Sequence, residues 1–201
     1  MRKADPELQS RRRTEIIAAA ETCFLKRGFH QSSMKNIADA AGVSMGLLYR
    51  YFANKEAIIE AAAAQDQAET IAAISALPHM GDVAAGWVTL IQKMAVAASA
   101  TSYAALASEI LSEANRSAKI YAMLKANDAA LVMAIADKLA AQQQSGAFNF
   151  QSDVETIAHA LLLVFEGLTM RNFMTSNNES AHTASMVSQI IFSILKQSRQ
   201  T

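Results

Sequence analysis

AGVSMGLLYRYFANKE, residues 41–56, is the stretch on which the reading of this chain turns. It places two tyrosines, a phenylalanine, Arg50 and Lys55 just after a glycine turn. Such a run is either a piece of aromatic core or a surface built to touch something. Its flanks decide between the two. Upstream, Met34, Ile37, Ala38 and Ala41 recur at helical spacing behind Ser32-Ser33, either of which suits a helix N-cap, and the run ends at Gly42. Ser44 is placed to cap a third helix carrying Leu47, Leu48, Tyr51 and Phe52, and Asn54 a fourth that starts at Lys55 and reaches Leu77. A first helix begins at Pro6 or Arg11 and runs to Arg27. It carries the stripe Ile16, Ile17, Ala20, Cys23, Phe24 and stops at Gly28.

Residues 33–52 therefore outline a helix-turn-helix, a unit whose second helix enters the major groove of DNA. Ile37, Ala38, Ala41, Val43, Leu48 and Phe52 form a small core against the first helix. The residues left over are Ser33, Lys35, Ser44, Met45, Gly46, Leu47, Tyr49, Arg50, Tyr51 and Lys55. Most are hydrogen-bond donors or small groups, the chemistry that phosphate asks for at helix N-termini, where backbone N–H groups and the helix dipole already favour anions. Gly46 weakens helix propensity but lets another backbone approach closely.

The wider chain agrees. Of its 201 residues, 52% are hydrophobic, alanine is abundant, and there are two prolines and seven glycines, a composition for an all-α protein. Net charge is zero, yet residues 1–56 hold ten Lys/Arg against six Asp/Glu, while residues 57–201 hold eight against twelve. A basic first quarter on an acidic remainder points to an anionic partner at that end. The longest apolar runs are too short to cross a bilayer, and MRKADPELQSRRR has no apolar core of a secretory signal. One cysteine forms no internal disulfide, and a cytoplasmic location is expected.

GFHQSSMKNIADAAGVSMGLLYRYFANKEAI, residues 28–58, resembles the DNA-binding domain of the TetR/AcrR family of bacterial transcriptional regulators. The family pattern is roughly G-[FY]-x-x-[ST]-[ST]-[MV]-x-x-I-A-x-x-A-G-V-S-x-G-x-[LI]-Y-x-[YH]-F-x-[SN]-K-E-x-[LI], and almost every position is met. The resemblance implies that Ser33 and Ser44 bond phosphates, that Tyr49 and Lys55 clamp the backbone, and that Tyr51 divides its role between packing and backbone contact. It implies that Met45, Gly46, Leu47 and Arg50 face base edges, with Arg50 alone having the guanidinium geometry for guanine. Met45 stands where Lys, Arg or Pro is commoner, and Leu47 replaces a smaller residue, so thymine methyl contacts and DNA shape gain weight in readout. Arg11, Arg12 and Arg13 lie where a flanking phosphate or minor groove is within reach.

Downstream, the Pro78–Gly81 break opens a helix at Asp82, and further helices are expected at about 102–114, 117–143, 153–175 and 183–198. Ser152 to Glu155 has the spacing of a capping box. The resemblance implies a division into a DNA-binding domain, 1–54, and a ligand-sensing and dimerising domain, 55–201. Helices 153–175 and 183–198 carry wider apolar faces than one neighbour needs, as an intersubunit bundle requires. Trp87, Met94, Tyr103, Glu109, Met123, Phe165 and Met170 are the candidate effector-lining residues, with Asn127 and Glu166 as further polar interruptions of apolar helices. His30, His79, His159 and His182 show no metal-binding spacing, Cys23 lies on the buried stripe, and no nucleotide loop or catalytic arrangement appears. No enzyme activity, cofactor or metal is expected. The expected function is a homodimeric repressor of a palindromic DNA operator, released by a small-molecule effector. A helical ligand-binding or interaction protein with a non-functional helix-turn-helix is the alternative.

Overall fold

In the computed structural model, the described residues are 6–100, 103–174 and 180–196. Among them the chain is all-α: α1 (Pro6–Arg27), α2 (Met34–Ala41), α3 (Met45–Tyr51), α4 (Lys55–Ser75), α5 (Val83–Ala100), α6 (Tyr103–Ala114), α7 (Ala118–Gln144), α8 (Val154–Met174) and α9 (Ser180–Lys196). An N-terminal helix-turn-helix is followed by a C-terminal helical domain.

Two compact units divide the chain. The first comprises Met1–Asp66 with Ala105–Lys125, the second Gln67–Ala104 with Ala126–Thr201. In the first, α1 packs on α2 and α2 on α3. Its core joins Ile16, Ile17, Ala20, Cys23 and Phe24 of α1 to Ile37, Ala38, Leu48 and Phe52, with Phe29, Ile58 and Ile59. Ile110 of α6 and Met123 of α7 pack against the same core from far along the chain. In the second, α5, α8 and α9 pack on one another, and α7 contributes Val132, Ile135 and Leu139 to a core built around Trp87.

Local chemistry sets the element ends. Gly42 ends α2 in the left-handed region, φ 63°, where a side chain is strained, and its N–H reaches the carbonyls of Ala38 and Asp39. Ser33, rather than Ser32, caps α2, and the cap is reciprocal. The Ser33 hydroxyl accepts from the Asn36 amide at 3.1 Å, and the Asn36 side chain accepts from the Ser33 N–H at 3.0 Å. Ser32 is buried and donates to the carbonyls of Cys23 and Gly28 instead. Asn54 accepts from the Ala57 N–H at 2.8 Å and so caps α4. The start of α8 corrects the sequence reading. Asp153 is the cap, accepting from the Thr156 N–H at 2.8 Å and from its hydroxyl at 2.7 Å. A carboxylate accepts both bonds at once, which holds Asp153 below the usual carboxylate range and displaces the expected Ser152–Glu155 pair.

Candidate nucleic-acid interface

The geometry of α3 follows from its capping and its short core contact. Ser44 caps it, accepting from the Leu47 N–H at 3.2 Å, and Leu48 and Phe52 are buried below. A helix of seven residues anchored on one face leaves the other free. Ser44, Met45, Gly46, Tyr49 and Arg50 are exposed, with Tyr49 at 52%, and Leu47 is half-buried. Ser33 and Lys35 are exposed at the start of α2. Tyr51 is half-buried and packs against the core. A Cβ added at Gly46 would meet nothing within 4 Å, so no contact inside the chain calls for glycine there.

Three side chains have geometry that spacing did not disclose. Lys55 turns inward: its ammonium donates to the Phe29 carbonyl at 2.7 Å and the His30 carbonyl at 3.4 Å, and sits 4.4 Å from the centre of the Phe29 ring. It ties the start of α4 to the α1–α2 turn. Ser33 donates its hydroxyl proton to Asn36 Oδ1 at 2.7 Å, so the proton expected to face a phosphate has an internal acceptor. Arg13 lies within α1, with its guanidinium 4.6 Å over the Phe52 ring at the end of α3. Arg11 and Arg12 pair with Glu15 along the same helix. The contacts of Lys55 and Arg13 were not legible because each joins residues whose separation along the chain carries no periodic signal.

The candidate effector residues scatter. Trp87 is buried, and its indole N–H donates to Gln142 Oε1 at 2.9 Å, which makes it a core group. Met94 is half-buried, Phe165 packs on the core of the second unit, and Met170 is exposed at 46%. Met123 packs into the core of the first unit. The side chains of Tyr103 and Glu109 lie outside the described residues. A hollow of about 140 Å³ in the second unit is lined by Phe150, Gln151, Ser152, Thr156, Ile157, Ala160 and Ile194, none of them among the seven. Asn127 is half-buried, and its carbonyl accepts from Gln67 at 3.2 Å. Burial, then the Asp128 carboxylate, pushes Glu166 up. Helical spacing selects buried faces, and a buried face serves a core and a cavity alike.

Apolar side chains stand exposed on α8 and α9 among polar neighbours such as His159, Glu166, Arg171 and Gln189. Leu163, Met170 and Met174 on α8, and Met186 and Ile190 on α9, are all exposed. No group of histidine, cysteine or carboxylate side chains able to hold a metal ion occurs among the described residues, and no helix there is long and apolar enough to cross a membrane.

With that geometry in place, comparison with known proteins is direct. Residues 16–62 match the model of the bacterial regulatory proteins of the tetR family. The HTH-type transcriptional regulator UidR of Escherichia coli (strain K12) is 31% identical over 156 residues, 76% of this chain and 76% of that protein. This chain belongs to the TetR family. It is a DNA-binding transcriptional regulator with the family's helix-turn-helix. The HTH-type transcriptional repressor KstR2 of Rhodococcus jostii (strain RHA1) is 41% identical over 56 residues, 28% of each chain. Among solved structures, Salmonella enterica GusR has 28% identity and a TM-score of 0.73, over 96% of this chain and 99% of that one.

Proposed function

We propose that this TetR-family regulator is a homodimeric repressor that binds a palindromic operator and is released by a small molecule. The observation that carries this reading is the outward face of α3, where Ser44, Met45, Gly46, Tyr49 and Arg50 are exposed while Leu48 and Phe52 anchor the helix beneath. Arg50 reads guanine, and Met45 and Leu47 supply apolar contact to thymine methyl groups. Tyr49, Ser44, Lys35 and Ser33 contact phosphates. Lys55 acts on the backbone chiefly by holding the α1–α2 turn, and Tyr51 by packing. Residues 1–54 bind DNA, and residues 55–201 sense and dimerise.

Two copies are required because reading a palindrome takes two recognition helices at a fixed separation. The exposed apolar stripes of α8 and α9 are the surface on which a second copy packs. A small molecule that binds one arrangement of the dimer better than another shifts the population of α3 spacings, and DNA affinity falls with it. The protein acts in the cytoplasm, with DNA and the effector as partners.

The test is retention of genomic fragments by the purified protein, followed by gel-shift titration of the selected fragment over a salt series. Specific binding with log affinity falling linearly in log salt is the expected result. Retention of no fragment at low salt would overturn the reading in favour of a helical ligand-binding protein with an inactive helix-turn-helix.

A further inference from the structure

The three arginines of α1 are not equivalent in the structure. The Arg12 guanidinium meets Glu15 at 2.8 Å, and Arg11 meets the other oxygen of that carboxylate at 3.7 Å. Arg13 turns to α3 instead. Its guanidinium carbon lies 4.6 Å from the centre of the Phe52 ring, and Phe52 is the residue that closes the C-terminal end of α3. Arg13 is exposed, and among the described residues no carboxylate or carbonyl oxygen meets its guanidinium. An aromatic face holds a cation through its quadrupole without supplying an oxygen acceptor. The five N–H donors of Arg13 are thus left for an acceptor outside the chain. Phe52 is 2% exposed and belongs to the core of the first unit, so the ring beneath the guanidinium is fixed by packing. A long side chain loses rotamer freedom when it binds, and one already held over a fixed ring has less to lose.

We propose that Arg13 is a phosphate clamp of the DNA-binding unit, preset by the Phe52 ring. A recognition helix puts its N-terminal residues on base edges, and the nucleic-acid backbone passes its C-terminal end. Arg13 stands at that end of α3, within the same compact unit. A phosphodiester is the ligand whose oxygens match a planar donor fork. Phe52 then serves twice, in the core below α3 and as the support of a surface cation. The assignment deepens the function proposed above and rests on it, adding a contact from α1 to those of Ser33, Lys35, Ser44 and Tyr49. A cation at a helix C-terminus also steadies the helix through its dipole, and that alone would place an arginine here without any ligand. The two roles differ in salt dependence. A phosphate contact releases counterions, and packing does not.

The test is gel-shift titration, over a salt series, of the genomic fragment that the parent selects, with Arg13→Gln, Arg13→Lys and Arg12→Gln. Arg13 is exposed, so neither change there opens the core. Arg13→Gln keeps a flat polar group but loses the charge. Its slope of log affinity against log salt is expected to be shallower by about 0.9, the share of one phosphate, with affinity severalfold weaker. Arg13→Lys restores the slope but not the whole affinity, because a point charge lacks the fork that grips two phosphate oxygens. Arg12→Gln leaves the slope at the parent value, since Glu15 already holds that charge. A parental slope in Arg13→Gln would reduce Arg13 to packing at the end of α3 and overturn the proposal. An equal loss of slope in Arg12→Gln would overturn it too, because the general basic field of α1, and not one placed guanidinium, would then be at work. Retention of no fragment by the parent is a separate failure, that of the proposed function itself, and the clamp falls with it.

Discussion

The ammonium of Lys55 sits on both faces of one residue's chemistry: 2.7 Å from the Phe29 carbonyl and 4.4 Å from the centre of the Phe29 ring. A charge-assisted hydrogen bond and a cation–π contact converge on the turn between α1 and α2. Half-burial lowers both below their fully desolvated worth. Lys55→Ala is expected to destabilise the fold by about 1–2 kcal/mol, from the net worth of a hydrogen bond to a charged group with a partly exposed cation–π contact. Urea unfolding measures this, and an unchanged midpoint would remove Lys55 from its anchoring role. DNA affinity should fall to a similar degree on all sequences, because the turn carries no base information.

Gly46 separates folding from function. Its backbone needs no left-handed angle, and a Cβ there meets nothing within 4 Å. Gly46→Ala should therefore stabilise α3, by up to about 1 kcal/mol from helix propensity. On the proposed function the same methyl group intrudes where DNA approaches, and affinity for the selected fragment should drop. Unchanged DNA affinity would show that nothing packs closely against this position.

Arg50 is exposed on α3 and has the planar donor fork that matches guanine. Arg50→Ala should cost about 1–3 kcal/mol on the preferred site and flatten discrimination at one base pair. Binding to an array of single-base variants reads this directly. A uniform loss with the preference intact would reassign Arg50 to a phosphate.

Leu163 of α8 and Ile190 of α9 are 68% and 41% exposed. On the dimer reading they are buried by the partner copy. Leu163→Glu and Ile190→Glu should each weaken association by about 2 kcal/mol or more, as central apolar contacts do. Sedimentation would show monomers at concentrations where the parent is dimeric. A dimer that tolerates both changes must use another face.

Lys138 is buried at 6% exposure, donating to the Ser75 carbonyl at 2.9 Å and lying 3.2 Å from His79 Nε2. Burial holds its ammonium below the ordinary value of 10.5. Between the lowered folded value and the ordinary one, the unfolded chain binds more protons than the folded chain. Stability contributed by this group therefore rises with pH across that window and is lower below it. Lys138→Met should abolish the rise in a pH series of thermal unfolding. A parent with flat stability over that window would contradict the burial penalty.

The helix-turn-helix was legible because its signals are local. Gly42, Ser44 and Asn54 act within four residues of themselves, and the apolar spacing from Ile37 to Phe52 turns with the helix it describes. The cap of α8 was misread for the opposite reason. Ser152 and Asp153 offer equivalent spacings, and only the geometry of Thr156 chooses between them. The effector candidates were no better determined, since Trp87 and Met123 satisfy the same periodicity whether they face a cavity or a core.

By itself, the sequence determined the helix-turn-helix and the family to which it belongs, since these rest on short-range capping, periodicity and a contiguous motif. Only the tertiary structure decided which distant residues complete the DNA-binding unit. Ile110 and Met123 enter its core, Lys55 turns inward to Phe29, and Glu113 and Arg116 converge on one nitrogen of His30. Such contacts span up to 86 residues and carry no periodic trace in the chain, because they depend on how packed helices bring their ends together.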